Sequence, residues 1–380
     1  MQLFLPKYEV EECVDAIRKV LESGWTGCGP VCRQFEQDWS SFTGASHCHY
    51  MSSATAALHV ALRLCNLPPE SHVLTTPLTF VSTNAVILYE NHIPVFVDIN
   101  EDDLSLDADD FLLKKERYKS KAAMWVHYGG NISDHFYKVA EALKSELGKS
   151  FTLIEDCAHA SGARYKDGKA LGSSPSTYSC FSFHSVKNLP TFDSGMLCVN
   201  SEAVNQRARK LSWLGIDKDT FARTNSTQTD LYKWRYDVPE LGWKYNGNDV
   251  AASIACVQLK YLDRDNKKRH QMFQWYKDNL ESNKNLKIMK HSPHSSHHLF
   301  VLRVKNRDEM IKILKDNGIA AGVHYLPNND FPIFQKYYTP GECPVLEKIS
   351  GELISLPNHL TLTKEDIDRV SEVVNAAAKS

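Results

Sequence analysis

The feature that most constrains this chain is an alternation of short apolar, β-branched runs with stretches of helical or polar character. The runs are His72–Thr75, Pro94–Ile99, Ala123–His127 and Phe151–Ile154. Strands separated by helices build βαβ units, and hence a mostly parallel sheet covered on both faces. Ligands in such α/β folds gather at the C-terminal ends of the strands. The residues just past the runs are therefore the places to look for chemistry: Thr79 and Phe80, Asp156, and the segment from Ser182 to Lys187.

Other elements follow from periodicity. Val10, Cys13, Ile17, Val20 and Leu21 recur at helical spacing and Gly24 follows as a stop, which opens a glycine-rich loop from Gly24 to Pro30. Ala54–Leu64 and Glu202–Leu211 read as helices, whereas Asp217–Pro239 is polar, without period, and is expected to be a long loop. Val250, Ile254, Val257, Tyr261 and Leu262 begin a pattern that predicts one helix running on to Leu280. His298–Val304 reads as a strand, and Arg307–Asn317 and Lys364–Ala378 as helices. A chain of 380 residues, 42% hydrophobic, can bury two cores. The long helix is the candidate link between a large domain over 1–255 and a smaller α+β domain over 256–380.

Composition excludes some partners. A net charge of −2 supplies no basic field for nucleic acid or anionic membrane. The ten cysteines contain no CxxC pair and are expected as reduced thiols. The first twenty residues carry a proline and acidic residues where a signal peptide needs an unbroken apolar stretch, and no window approaches eighteen apolar residues, so a cytoplasmic location is expected. GxGxxG, P-loop and GxSxG strings are absent, which weakens dehydrogenase, nucleotidase and hydrolase readings.

Four places can carry chemistry. Ser52-Ser53-Ala54-Thr55 stands directly before a helix, where free N–H groups and the helix dipole either hold a phosphate or are simply capped. Asp156 ends an apolar run with His159 three residues on; it either caps a turn or faces a cation such as a protonated pyridine nitrogen. Lys187 lies in an aromatic, hydroxyl-rich stretch, where desolvation would leave a nucleophilic amine, unless it simply reaches out to water. Phe80 either stacks on a flat ring or belongs to the core. His291, His294, His297 and His298 do not match a known metal spacing, and Cys28 and Cys32 read as buried thiols, so no metal is expected.

Taken in order, several segments resemble the DegT/StrS family of sugar aminotransferases: Ser23–Pro30, Ser53–Leu58, Ile154–Ala160, Ser182–Asn188, Gly242–Asn246, Gly322–Pro327 and Ser355–Pro357. The resemblance spans nearly the whole chain. It implies the pyridoxal-phosphate-dependent transferase fold of type I, with a mostly parallel seven-stranded sheet in the large domain and a smaller C-terminal α+β domain. It implies that Lys187 holds the cofactor as a Schiff base, that Asp156 pairs with the pyridine nitrogen, that His159 lies near the phenolic oxygen and that Phe80 stacks on the ring. Ala54, Thr55 and Ser182 would bind the phosphate. Asn246 would reach it from the neighbouring subunit of a homodimer. Trp25, Thr26, Gly27, His324 and Tyr325 are the implied substrate contacts.

The implied reaction moves an amino group from an amino acid, glutamate by resemblance, to a nucleotide-linked keto-sugar. Rival readings are a sugar dehydratase, which in this family carries histidine at the lysine position, an inactive sugar-binding or regulatory scaffold, and a cyclitol transaminase. The chain departs from the family pattern twice: it has Asp193-Ser194-Gly195 in place of a glycine pair, and Gly247-Asn248 after Tyr245-Asn246. The first is expected to alter the loop behind the cofactor and the second the subunit contact.

Overall fold

The computed structural model describes residues 1–174, 177–217 and 236–378. Seven strands form the main sheet: β1 His47–Met51, β2 His72–Thr75, β3 Ile93–Phe96, β4 Ala122–Val126, β5 Thr152–Asp156, β6 Thr177–Ser182 and β7 Gly195–Val199. Their order is β1-β7-β6-β5-β4-β2-β3. Only β7 runs against its neighbours, β6 and β1. The sheet is thus mostly parallel, as expected.

Its strands bury both faces, which is why they read as near-continuous apolar runs. Trp125 and Leu153 point into a core with Phe35, Trp39, Phe181 and Phe183. Their chain neighbours Met124 and Ile154 point to the other side, among Leu58, Val60 and Leu197. The covering helices include α2 Pro30–Thr43, α3 Ala54–Leu64, α4 Val81–Tyr89, α5 Ala108–Tyr118, α6 Asp134–Ala142 and α7 Glu202–Leu211, while α1 Val10–Glu22 packs outside them, its Cys13 and Ile17 against Ile254 and Val257.

The pattern after Asn248 is not one helix but two, α8 Asp249–Leu259 and α9 Leu262–Leu280. Between them the N–H groups of Lys260 and Tyr261 bond three residues back, to Val257 and Gln258, which tightens the turn and redirects the chain. Beyond α9 a small antiparallel sheet has the order β10-β9-β8 (Leu353–Leu356, Phe300–Arg303, Lys287–Ile288). Together with α10 Arg307–Asp316 and α11 Lys364–Ala377 it encloses a separate core around Met272, Phe300, Ile354 and Val370. Of the loop expected at 217–239, residues 218–235 lie outside the described residues.

Helix α2 was not legible as an element, although Cys32, Phe35 and Trp39 are all buried at helical spacing. It starts at Pro30, with Gly29 before it, and stops at Gly44 in the left-handed region (φ 80°). Its N-terminus is capped from far along the chain. The buried carboxylate of Asp249, at the start of α8, accepts hydrogen bonds from the N–H groups of Gly29 (2.8 Å), Cys32 (2.9 Å) and Val31 (3.1 Å). Asp249→Ala should therefore lower unfolding stability by about 2 kcal/mol through loss of charge-assisted capping bonds. Asp249→Asn should retain part of it. A denaturant titration in which Asp249→Ala matches the parent would rule out this cap as a stabilising link between α2 and α8.

Candidate active site

The strand ends converge on one cavity of about 420 Å³. Asp156 is the last residue of β5 and Ser182 the last of β6; Lys187 follows in the loop, and α3 brings in Ala54 and Thr55. All of these line the cavity, together with Phe80, His159, His324 and Tyr325. The topology thus gathers residues from positions 54 to 325.

Lys187 is held by its neighbour. The Asn188 amide donates to Asn266 Oδ1 (2.8 Å) and to the Ser296 carbonyl (2.9 Å), and its oxygen accepts from His298 Nδ1 (2.8 Å). Burial lowers the Lys187 amine from its ordinary 10.5 to about 8, with the Asp156 charge acting in the opposite sense. An amine titrating there has a substantial unprotonated, nucleophilic fraction near neutral pH.

Asp156 accepts from Thr83 Oγ1 (2.7 Å) and from the Ala158 N–H (3.1 Å). Burial nonetheless raises its pKa, against the pull of these two donors, Lys187 and His127. A carboxylate left in that condition is stabilised by a further cation. A protonated pyridine nitrogen would supply one.

The tautomer of His159 follows from its contacts. Its Nδ1 accepts from the Gly129 N–H (3.2 Å), so the proton sits on Nε2 and is donated to Tyr325 Oη at 2.9 Å. Burial, then Lys187 and His324, hold its pKa well below 6.5, so the ring is neutral. His324, with Nδ1 2.9 Å from Ser355 Oγ, is brought to about 4 by burial and then by Lys187.

The start of α3 has the character of an anion cradle. Ser53 caps it by accepting from the Ala56 N–H (3.1 Å), and among the described residues the N–H groups of Ala54 and Thr55 have no partner. A Cβ on Gly195 would lie 2.5–2.6 Å from backbone atoms of Ser53 and Ala54, so only glycine permits β7 to approach this turn. Ser182 Oγ accepts from the His184 N–H (3.3 Å), which leaves its hydroxyl proton to donate. Phe80 stands at the mouth, 56% exposed, with its ring 5.9 Å from that of Tyr325; it is not a core residue. A lysine amine, a carboxylate wanting a cation, an exposed aromatic face and an anion cradle together fit pyridoxal phosphate.

Asn246, Trp25 and Gly27 lie elsewhere. They line a second cavity, of about 820 Å³, while Thr26 is exposed and lines neither. Within one chain the structure does not bring these four to Lys187. The amide oxygen of Asn246 is buried there without a hydrogen-bond partner.

Both departures from the family pattern have local explanations. Ser194 is absorbed by a hydrogen bond to Thr191 (2.8 Å). Gly247 lies where a Cβ would meet the Tyr50 ring at 2.3 Å, and Asn248 caps α8 through the Ala251 N–H (2.9 Å).

Of the four histidines, His298 joins the site; His291 and His297 stack on each other at 5.0 Å, and His294 is exposed. All ten cysteines are free; Cys32 is buried and Cys28 half-buried. Among the described residues, His127, Glu155 and Cys157 lie close enough together to hold a metal, but His127 Nε2 bonds the Glu155 carboxylate directly at 2.8 Å.

Thr83, His127, His298 and Phe4 are site residues that sequence reasoning missed. His127 ends one of the apolar runs and was within reach; Phe4 carries no local signal.

Comparison with known proteins agrees with this geometry. Residues 7–375 match the DegT/DnrJ/EryC1/StrS aminotransferase family. The spore coat polysaccharide biosynthesis protein SpsC of Bacillus subtilis is 33% identical, over 99% of this chain and 96% of its own. Among solved structures, Spr1654 of Streptococcus pneumoniae in its PMP form superposes with a TM-score of 0.89 at 26% identity, covering 100% of this chain and 99% of the other. The sugar aminotransferase CalS13 of Micromonospora echinospora gives 0.88 at 25% identity, covering 99% of each chain. The chain belongs to the DegT/DnrJ/EryC1/StrS aminotransferase family and is a pyridoxal-phosphate-dependent aminotransferase.

Proposed function

We propose that this enzyme transfers an amino group from glutamate to the keto group of a nucleotide-linked sugar, as a cytoplasmic homodimer with shared active sites. The observation that carries the reading is the buried Lys187 amine, brought to about 8, in one cavity with Asp156, His159 and the free N–H groups of α3. When bound, the cofactor serves as an electron sink for the carbon that gains or loses the amino group.

The chain's own residues supply the rest. Lys187 Nζ carries the proton to and from the reacting carbon. Asp156 would hold a positive charge at the ring nitrogen, neutral His159 orients Tyr325, and Ala54, Thr55 and Ser182 would hold the phosphate, with Phe80 against the ring. Lysine at 187 argues against a dehydratase, and the intact set of Lys187, Asp156 and His159 against an inactive scaffold.

A sugar acceptor is supported by the likeness to CalS13 and SpsC over nearly the whole chain. Shared sites are supported by Asn246, whose unpartnered amide oxygen lies in a cavity away from Lys187. Trp25, Thr26 and Gly27 would accompany it toward a partner's substrate. Residues 1–255 would hold the cofactor and 256–380 cover it. No helix of the described residues is long and apolar enough to cross a membrane.

The test is a spectrum of the enzyme loaded with pyridoxal phosphate, before and after glutamate, followed by a panel of nucleotide-linked keto-hexoses and a cyclitol ketone. Conversion by glutamate and reversal by a nucleotide sugar is the expected result. Reversal by the cyclitol alone would reassign the acceptor, and a cofactor spectrum that glutamate leaves unchanged would remove glutamate as donor.

A further inference from the structure

The cavity has one wall that no strand end supplies. The segment from Met1 to Glu9 runs across the molecule as a strap clamped at both ends. On one side the Ala320 N–H donates to the Met1 carbonyl (2.9 Å), His359 Nε2 lies 3.0 Å from the Gln2 carbonyl, and the Asn358 N–H reaches that of Leu3 (3.4 Å). On the other, Gln258 donates to the Lys7 carbonyl (3.0 Å) and accepts from the Glu9 N–H (3.1 Å), and Tyr8 Oη donates to the Thr191 carbonyl (2.6 Å). Phe4, Leu5 and Pro6 span the gap. Phe4 faces the cavity that holds Lys187. Its ring stacks on His298 (5.9 Å, 15°) and meets His324 edge-on (5.4 Å, 83°).

This wall is uncharged. His298 donates Nδ1–H to Asn188, which leaves Nε2 an acceptor, and burial, with the charges of Lys187 and Arg269 nearby, holds it well below 6.5. His324 is likewise neutral near pH 7. Such a surface offers an aromatic face and hydrogen-bond acceptors, which suits the C–H face and hydroxyls of a sugar ring. A linear dicarboxylate such as glutamate has no flat face to lay against it.

We propose that Phe4 is a specificity-determining residue, the aromatic platform on which the acceptor sugar's ring lies during the second half-reaction. This rests on the proposed sugar acceptor. The strap is held by backbone bonds on either side of Phe4, so a substitution there changes the platform and leaves its support in place.

The test measures the two half-reactions separately on the enzyme loaded with cofactor. The donor probe is glutamate; the acceptor probe is whichever nucleotide-linked keto-hexose of the panel the parent turns over. Phe4→Ala and Phe4→Leu should lower kcat/KM for the acceptor half roughly tenfold or more, mainly through KM, and alter the donor half less than about threefold. Phe4→Tyr should stay within about threefold of the parent in both. The dissociation constant of the amino-sugar product, from spectral titration, should rise with the loss of the aromatic face. Equal loss in both halves, or an acceptor half untouched by Phe4→Ala, overturns the assignment of Phe4. A parent that turns over no sugar overturns the function reading, and the Phe4 assignment with it.

Discussion

Lys187→Ala is expected to abolish transamination, with a fall in turnover on the order of 10⁵-fold, while the fold persists. The size follows from the two tasks proposed for one Nζ: holding the cofactor, and moving the proton at the reacting carbon. Among the described residues, no other amine lines the cavity. The fold should survive because Lys187 Nζ makes no hydrogen bond among the described residues, and because its charge is unwelcome where it stands. The folded chain releases that proton near 8 and the unfolded chain near 10.5. A depressed lysine pKa means that the cofactor-free protein gains stability as pH rises from about 8 to 10.5, and carries the full cost of the buried charge below that window. Lys187→Ala should remove this slope and, near pH 7, melt no lower than the cofactor-free parent. Two measurements check it: turnover with saturating glutamate and acceptor, and unfolding midpoints of cofactor-free protein between pH 7 and 10. A variant that still transaminates near the parent rate would remove Lys187 from the chemistry.

The same geometry explains what was legible beforehand. Lys187, Asp156 and His159 could be found because each ends or follows a strand of a mostly parallel sheet, and the C-terminal edge of such a sheet is one place in space. That rule uses only the order of apolar runs. The N-cap at Ser53 was legible for a similar reason: small and hydroxyl residues before a helix leave N–H groups free whatever the tertiary context.

Tertiary facts were out of reach. The break between α8 and α9 is a shift from four-residue to three-residue bonds at Lys260 and Tyr261, and apolar periodicity runs through it unbroken. The cap on α2 comes from Asp249, more than two hundred residues away. Phe4 is placed by strap bonds to residues near 258 and 358, so nothing in its neighbours' identities announces it. Trp25, Thr26, Gly27 and Asn246 followed from resemblance, and the single chain holds them apart from Lys187.

Asp156 carries the second large effect, and its sign differs between the empty and the loaded protein. Without cofactor, burial raises the Asp156 pKa above 3.8, despite Thr83 and the Ala158 N–H. For a carboxyl group so raised, the folded state favours the protonated form, and stability falls as pH climbs from the unfolded value through the folded one. Asp156→Asn removes that burden, so the cofactor-free variant should melt at or above the parent at pH 7. Loading reverses the balance. The protonated ring nitrogen would meet the carboxylate inside the protein, and breaking a buried pair by removing one partner costs about 3 kcal/mol or more, equivalent to roughly a hundredfold in cofactor affinity. Turnover should fall further still, because a nitrogen without its carboxylate loses its proton and with it the electron-withdrawing power the reaction needs. Cofactor dissociation constants and melting curves with and without pyridoxal phosphate separate the two effects. If Asp156→Asn binds the cofactor as tightly as the parent, the carboxylate does not face the ring nitrogen, and the raised pKa reflects burial alone.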